Sequence, residues 1–422
     1  MEATKRNLFK EVTDRFRFLR DSSIAKYGNT QPERTWTFEM IADLFEKAYM
    51  ANQRGEPLAW INFAVIPEIF WAMDLVPVVL DTIHGMAAGT PEGVTKYIDI
   101  AEQHIPDHVC SDNKVLLGAA LAGEVPIPDM LIHPSHPCDS NVATFPVIAQ
   151  YFDKPYFCID VPYFRDERTR QYVADELKRL VSFLEEVTGR KLDMDRLKQV
   201  MEYSNRSHEL ILKCGELRAA VPCPYSTIET VSEYVPFLGL PGTPQLVDYC
   251  QKRYAWAKER VGKGEGHLRD EKIRLVWLYG APVFDFALFP WLEKQYGAIT
   301  VGNMNSNFII EPVEGISDPD NIFRGLAEKV LRLHMGRECG GTWENFINAS
   351  LDHCSRLKAD AAIFAGHIAC KANWAIMKLV KDRISDELGI PVLIFETDLF
   401  DPRVVSAEAI RAKFADFFET YF

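Results

Sequence analysis

Apolar positions recur at two distinct spacings along this chain. Over residues 1–56, Phe16, Phe18, Leu19, Phe38, Ile41, Leu44 and Phe45 stand among charges at helical intervals, which predicts a helical N-terminal segment. From residue 57 short apolar runs take over. Runs 58–65, 76–80, 130–133 and 156–160 have strand length, and a helix is predicted over about 67–74. Helical spacing with charged outer faces returns over 166–268, in ADELKRLVSFLEEV and MDRLKQVMEYSNRSHELILK, which reads as a helical connector. GKGEGH at 262–267 reads as its linker; these glycines follow a helix, so they are not a dinucleotide-binding loop. Over 269–422 the strand runs resume at 273–279, 298–301, 361–365 and 392–396, with 304–315 as loop and strand edge. Short buried strands alternating with helices imply βαβ units on parallel sheets. The expected fold is α/β: two Rossmann-like parallel-sheet domains (57–165 and 269–422), a helical N-terminal segment and a helical connector.

The two α/β halves resemble each other. LAWI at 58–61 matches LVWL at 275–278. Each half then has an acidic residue, an apolar strand, a histidine and a cysteine: Asp129, 130–132, His136, Cys138 in the first; Asp360, 361–364, His367, Cys370 in the second. Each closes on a similar strand, PYFCIDVPYF at 155–164 and PVLIFETDLF at 391–400, where Pro155 falls on Pro391, Asp160 on Glu396 and Phe164 on Phe400. Similar α/β units share such patterns by default, but the cysteine in the same place after the strand adds to the match. Ligands of open α/β sheets sit beyond the carboxyl ends of the strands. Two facing lobes would therefore aim Cys138 and Cys370 into one cleft.

Composition narrows the chemistry. The net charge of −13 disfavours nucleic acid and anionic membrane as partners. The start lacks the apolar core of a secretory signal, and the run 58–80 is interrupted by Pro67, Glu68, Asp74 and Pro77, against a membrane span. Nine cysteines without a secretion signal read as free thiols, metal ligands or packing in a reducing, cytoplasmic compartment. Cys110, at the apparent start of a helix, would add a third thiolate to Cys138 and Cys370 and leave one coordination position open. For each of the three the alternative is a buried apolar thiol. Cys339 is the next candidate, since it precedes Cys370 much as Cys110 precedes Cys138. Cys158 and Cys214 read as core, and Cys223, Cys250 and Cys354 have no supporting context.

At IPEIFWAMDLVPV, CSDNK, the Cys138–Asp139 pair, GHIACK and GIPVLIFETDLFDPR the chain resembles the 2-hydroxyacyl-CoA dehydratase and benzoyl-CoA reductase family. The resemblance runs from about residue 57 and implies a 4Fe–4S cluster in the interdomain cleft, held by Cys110, Cys138 and Cys370. It implies an acyl-CoA substrate, a homologous second subunit in a heterodimer, and a separate ATP-dependent iron–sulfur activator that delivers one strongly reducing electron. In the dehydratases that electron makes a substrate ketyl radical and water leaves; in the reductases an aryl ring is reduced. Both belong to anaerobic metabolism. Glu68 falls on an acidic position of the family and is the expected catalytic proton carrier, against a plain reading as a carboxylate opening a helix after Pro67. His136 and His367 are expected to hydrogen-bond the cluster, and Ser111 and Asp139 to cap helices. Phe63, Phe70 and Trp71 suit an aryl group or a core. Two further readings remain: a double-cubane reductase, which needs about six cysteines and would recruit Cys339, Cys354 and Cys158 or Cys223; and a two-lobed solute-binding or scaffold protein with no iron.

Overall fold

A computed structural model describes residues 6–28, 32–89, 93–306, 308 and 310–422. The expected N-terminal segment forms two helices, Leu8–Tyr27 and Pro32–Arg54. Its residues 1–5 and 29–31, and residues 307 and 309 of the 304–315 stretch, lie outside the described residues. Among the described residues, eight strands make two four-stranded parallel sheets. The first contains β1 (Leu58–Ile61), β2 (Val76–Val79), β3 (Met130–Pro134) and β4 (Tyr156–Ile159) in the order β2-β1-β3-β4. The second contains β5 (Ile273–Trp277), β6 (Ala298–Asn303), β7 (Ala361–His367) and β8 (Val392–Thr397) in the order β6-β5-β7-β8. The two orders are the same, so the repeat in the sequence is a repeat of topology.

Pairing corrects one part of that match by a residue. Leu58 N–H donates to the Asp129 carboxylate at 2.8 Å, and Arg274 N–H donates to the Asp360 carboxylate at 2.8 Å. Leu58 is therefore the counterpart of Arg274, and LAWI overlies residues 274–277 rather than 275–278. The closing strands do match as expected. Leu131 N–H donates to the Pro155 carbonyl, and Ala362 N–H to the Pro391 carbonyl. The two aspartates act alike, since each accepts a backbone N–H near the start of its sheet's opening strand, from Leu58 in β1 and from Arg274, the second residue of β5.

β1 stops at Ile61 although the apolar run continues to Val65. Asn62 Oδ1 accepts the N–H of Ala64 at 3.0 Å, a local turn that competes with the strand. The helices read as a connector belong to the first core. Glu167–Thr188 is capped by Asp166 and Met194–Leu217 by Asp193, and their inner faces (Leu177, Leu180, Leu197, Val200) join the buried cluster that includes β1 and β3, the first helix lying against β4 and the second against Glu68–Ala72. The helix Pro319–Arg332 crosses back to that core through Phe323 and Leu326, while Trp277, Phe364 and Phe414 anchor a second core. None of the described helices is long and apolar enough to cross a membrane.

One buried carboxyl opposes folding. Burial, and then the charge of Glu229, push Glu33 up to about 8 from its ordinary 4.5. A folded-state value raised above the unfolded one means stability is lost as pH rises from 4.5 towards 8. Glu33→Gln is therefore expected to stabilise the chain by about 3 kcal/mol near pH 7, and to change nothing at pH 4. Urea midpoints at the two pH values check this; equal effects at both would contradict it.

Candidate functional site

Three of the nine cysteines begin helices at one end of the two sheets. Cys110 is the N-cap of Ser111–Leu121, Cys138 of Asp139–Tyr151 and Cys370 of Lys371–Leu388. Cys138 and Cys370 follow the carboxyl ends of β3 and β7, the equivalent inner strands of the two sheets. The helix of Cys110 reaches the same place by packing closely at Gly118, where a Cβ would lie 1.9 Å from the Tyr97 carbonyl oxygen. All three cysteines line one cavity of about 180 Å³ between the sheets. Cys138 and Cys370 thus meet in one cleft, the place at which the repeat aimed them, and Cys110 joins them there.

A helix N-terminus favours a thiolate, but burial opposes it more strongly here. Burial pushes the Cys110 thiol well up, and the neighbouring charges of Asp112, Cys138, Asp398 and Cys370 add to this; Cys138 and Cys370 are pushed up mainly by burial too. Three bare thiolates would repel one another in this setting, and a cation among them would reverse the balance. Among the described residues, no three His, Cys, Asp or Glu side chains are grouped as one metal ion requires. A multi-iron cluster is different: each thiolate takes its own iron, so its ligands surround a volume instead of meeting at a point.

The polar groups around these sulfurs come from both halves. His367 Nδ1 accepts the N–H of Leu399 at 3.3 Å, so Nε2 carries the proton and points at Cys110 Sγ, 3.1 Å away. His136 instead makes its bond to the Val161 carbonyl, at 2.9 Å. Ser111 does not cap its helix. Its hydroxyl donates across the cleft to Asp398 at 2.7 Å, while Ser140, at the start of the Cys138 helix, accepts the Cys110 N–H at 3.2 Å. Asp139 makes no capping bond either, because the N-cap is Cys138 and its side chain does not cap. Asn373 donates to Cys370 Sγ at 3.2 Å, and the Tyr279 hydroxyl bonds the same thiol.

Glu68 is not part of this lining. It is buried at the start of helix Glu68–Ala72, with Oε1 3.0 Å from Lys329 Nζ and 2.7 Å from the Ser204 hydroxyl. Burial alone would raise its carboxyl, but Lys329 beside it, with His208 and Ser204, holds it below the ordinary range. The local reading of Glu68 as a carboxylate opening a helix is the one the packing follows. Phe63 does line the cavity; Phe70 and Trp71 are core, Trp71 donating to the Gly239 carbonyl at 3.2 Å.

Asp81 and Asp112 form a carboxyl pair that lines the cavity. Asp81 follows β2 and accepts the Phe63 N–H at 2.9 Å. Asp112 lies in the first turn after Cys110, hydrogen-bonds Asp81, and is pushed up to about 7 by burial. The CSDNK segment put that carboxyl in the first turn of the helix that Cys110 opens, but positions two apart on a helix diverge, so the spacing alone did not aim it at the cleft. Of the other cysteines, Cys214, Cys223, Cys250 and Cys354 are buried in the cores and Cys158 is in β4; only Cys339 lies near the trio. Among the described residues, the six thiolates that a double cubane requires are not gathered in one place.

Comparison with known proteins finds relatives along most of the chain. A family model described as 2-hydroxyglutaryl-CoA dehydratase, D-component, matches residues 63–421. The chain is 22% identical over 366 residues to the (R)-phenyllactyl-CoA dehydratase alpha subunit of Clostridium sporogenes, covering 84% of this chain and 87% of that one. It is 22% identical over 395 residues to the lactoyl-CoA dehydratase alpha subunit of Anaerotignum propionicum, covering 86% and 90%. It is 23% identical over 407 residues to a benzoyl-CoA reductase subunit of Thauera aromatica, covering 90% and 92%.

Proposed function

This chain belongs to the 2-hydroxyglutaryl-CoA dehydratase D-component family, and on that premise we propose that it is the iron–sulfur subunit of an ATP-activated 2-hydroxyacyl-CoA dehydratase acting on an acyl-CoA thioester. The observation that carries the proposal is the meeting of Cys110, Cys138 and Cys370, each opening a helix, at one cavity between two parallel sheets of equal order. These three thiols would hold one 4Fe–4S cluster, and the two sheets would be Rossmann-like domains facing it. When bound, the cluster supplies one-electron reducing chemistry in a site shielded from water.

The chain's own groups have distinct roles around it. His367 donates to Cys110 Sγ, and Asn373 and Tyr279 bond Cys370; hydrogen bonds to ligand sulfurs stabilise their negative charge. The Asp81–Asp112 pair faces the cavity and can hold or pass one proton at the substrate. Glu68 serves instead as a buried strut that ties its short helix to helices Met194–Leu217 and Pro319–Arg332 through Ser204 and Lys329. A homologous second subunit and a separate ATP-hydrolysing activator complete the system, in the cytoplasm. A second reading, an aryl-CoA reductase subunit, is favoured by one observation: Phe63, Phe286, Phe289 and Phe400 line the cavity.

The test is anaerobic purification with iron and sulfide analysis, followed by assays with partner and activator. About four irons per chain are expected, with dehydration of a 2-hydroxyacyl-CoA. Ring reduction of an aryl-CoA would select the second reading. A colourless protein without iron would sink both.

A further inference from the structure

We infer that His334 is a catalytic residue of this site, donating a hydrogen bond from its imidazole N–H to the thioester carbonyl oxygen of the bound substrate. The inference rests on the acyl-CoA reading above and deepens it, since it names the group that meets the reacting oxygen.

Placement comes first. His334 lines the cavity shared with Cys110, Cys138 and Cys370, and only 4% of it is exposed. It lies between helices Pro319–Arg332 and Gly336–Cys339, at a sharp reversal of the chain. Gly336 N–H donates to the His334 carbonyl at 2.7 Å across Met335, whose φ is 62° and ψ −41°. This is the strained form of γ-turn. Glu338 holds it by accepting the Met335 N–H at 2.8 Å. Strain of this kind collects at sites where the backbone must aim a side chain.

The second observation is the ring itself. It packs between Phe63 and Phe308, with centroids 5.5 and 5.3 Å away. Nδ1 is buried without a hydrogen-bond partner among the described residues. A buried acceptor without a partner is tolerated better than an orphaned N–H, so Nδ1 is the bare nitrogen and Nε2 carries the proton. With Nδ1 enclosed, the ring's share of the cavity wall falls to the edge that carries Nε2. The cysteines draw on other donors: His367 serves Cys110, while Asn373 and Tyr279 serve Cys370. Burial, and then the charge of Arg337, push the imidazole down to about 3 from its ordinary 6.5, so it is neutral. A neutral imidazole keeps its proton and works as a fixed donor, not as an acid. Its natural partner is an oxygen that gains negative charge. One electron entering the thioester puts that charge on the carbonyl oxygen, and no proton leaves the ring.

The test uses the anaerobic holoenzyme with partner and activator, and lactoyl-CoA and phenyllactyl-CoA as probes. His334→Phe keeps the packing and removes the donor; His334→Gln keeps a donor and removes the ring. For the probe that the wild type dehydrates faster, His334→Phe is expected to lower kcat by about 100–1,000-fold with KM changed far less, and His334→Gln to recover at least about tenfold of that loss. In infrared spectra of the probe, isotope-labelled at the carbonyl and bound without activator, the carbonyl band should move to higher frequency in His334→Phe and stay low in His334→Gln. Iron content and the substrate-free electron paramagnetic resonance spectrum should be unchanged in both. Turnover kept by Phe and lost by Gln would make the ring packing alone and overturn the inference. A carbonyl band that does not move, or a substrate-free spectrum that does, overturns it too. Should the variants fail to fold, the wild type decides: a bound carbonyl at the frequency of an unbonded thioester overturns it. Failure of the underlying reading looks different, because the wild type would then dehydrate neither probe.

Discussion

Serine in place of Cys138 is expected to remove the iron–sulfur chromophore and to lower activity by more than about 100-fold, beyond the 10–100-fold typical of losing a partner one shell further out. The reason is the setting of the thiol. Cys138 enters the cavity between the helix of Cys110 and the second sheet, and Ser140 on its own helix holds the Cys110 N–H. A hydroxyl is a much poorer iron ligand than a thiolate and would leave the other two sulfurs without a shared centre. Cys110→Ser and Cys370→Ser should behave in the same way. Cys158→Ser, in β4, is the control and should leave iron and activity in place. Iron per chain and the visible spectrum report the result. Retention of full cluster content in all three site variants would refute the ligand assignment.

The second large effect concerns stability. Lys329→Met leaves the Glu68 carboxylate buried without its cation, which costs about 3–5 kcal/mol. The pair is almost wholly enclosed, with side-chain exposures of 2% and 1%, so solvent cannot screen the loss. Glu68→Gln with Lys329→Met should recover most of that stability, because both charges are then gone. The same variants separate the two readings of Glu68. As a strut, Glu68→Gln lowers the urea midpoint while turnover per folded chain stays near wild type. As a proton carrier, it would lower turnover without shifting the midpoint.

Much of the architecture was legible in the sequence because burial on both faces makes parallel strands into short apolar runs. All eight strands lie within or beside such runs. Their ends were harder to see: β1 stops at Asn62 through a side-chain hydrogen bond that hydropathy does not register. The one-residue offset in matching LAWI has a similar origin. Residue similarity aligns tryptophan with tryptophan, whereas the backbone aligns the partners of Asp129 and Asp360. The candidate ligands Cys110, Cys138 and Cys370 were legible because their place after a strand or before a helix fixes where the thiol points. Glu68 was not placed by its local pattern, because a short helix can turn its first carboxylate either way. It turns towards Lys329, a residue 261 positions away that local pattern could not reveal. The link from Ser111 to Asp398 was hidden for the same reason.

The equal strand order of the two sheets also bears on the history of the molecule. Two lobes that each bring a cysteine to a shared cleft after the equivalent inner strand have the form that tandem fusion of one unit would leave. In a symmetric dimer of such a unit the cleft would lie on the rotation axis, and every change near it would be made twice. A single chain carries no such constraint. In the first half Ser140 holds the backbone N–H of Cys110, and in the second Asn373 donates to the thiol of Cys370, an asymmetry that a pair of identical lobes cannot have.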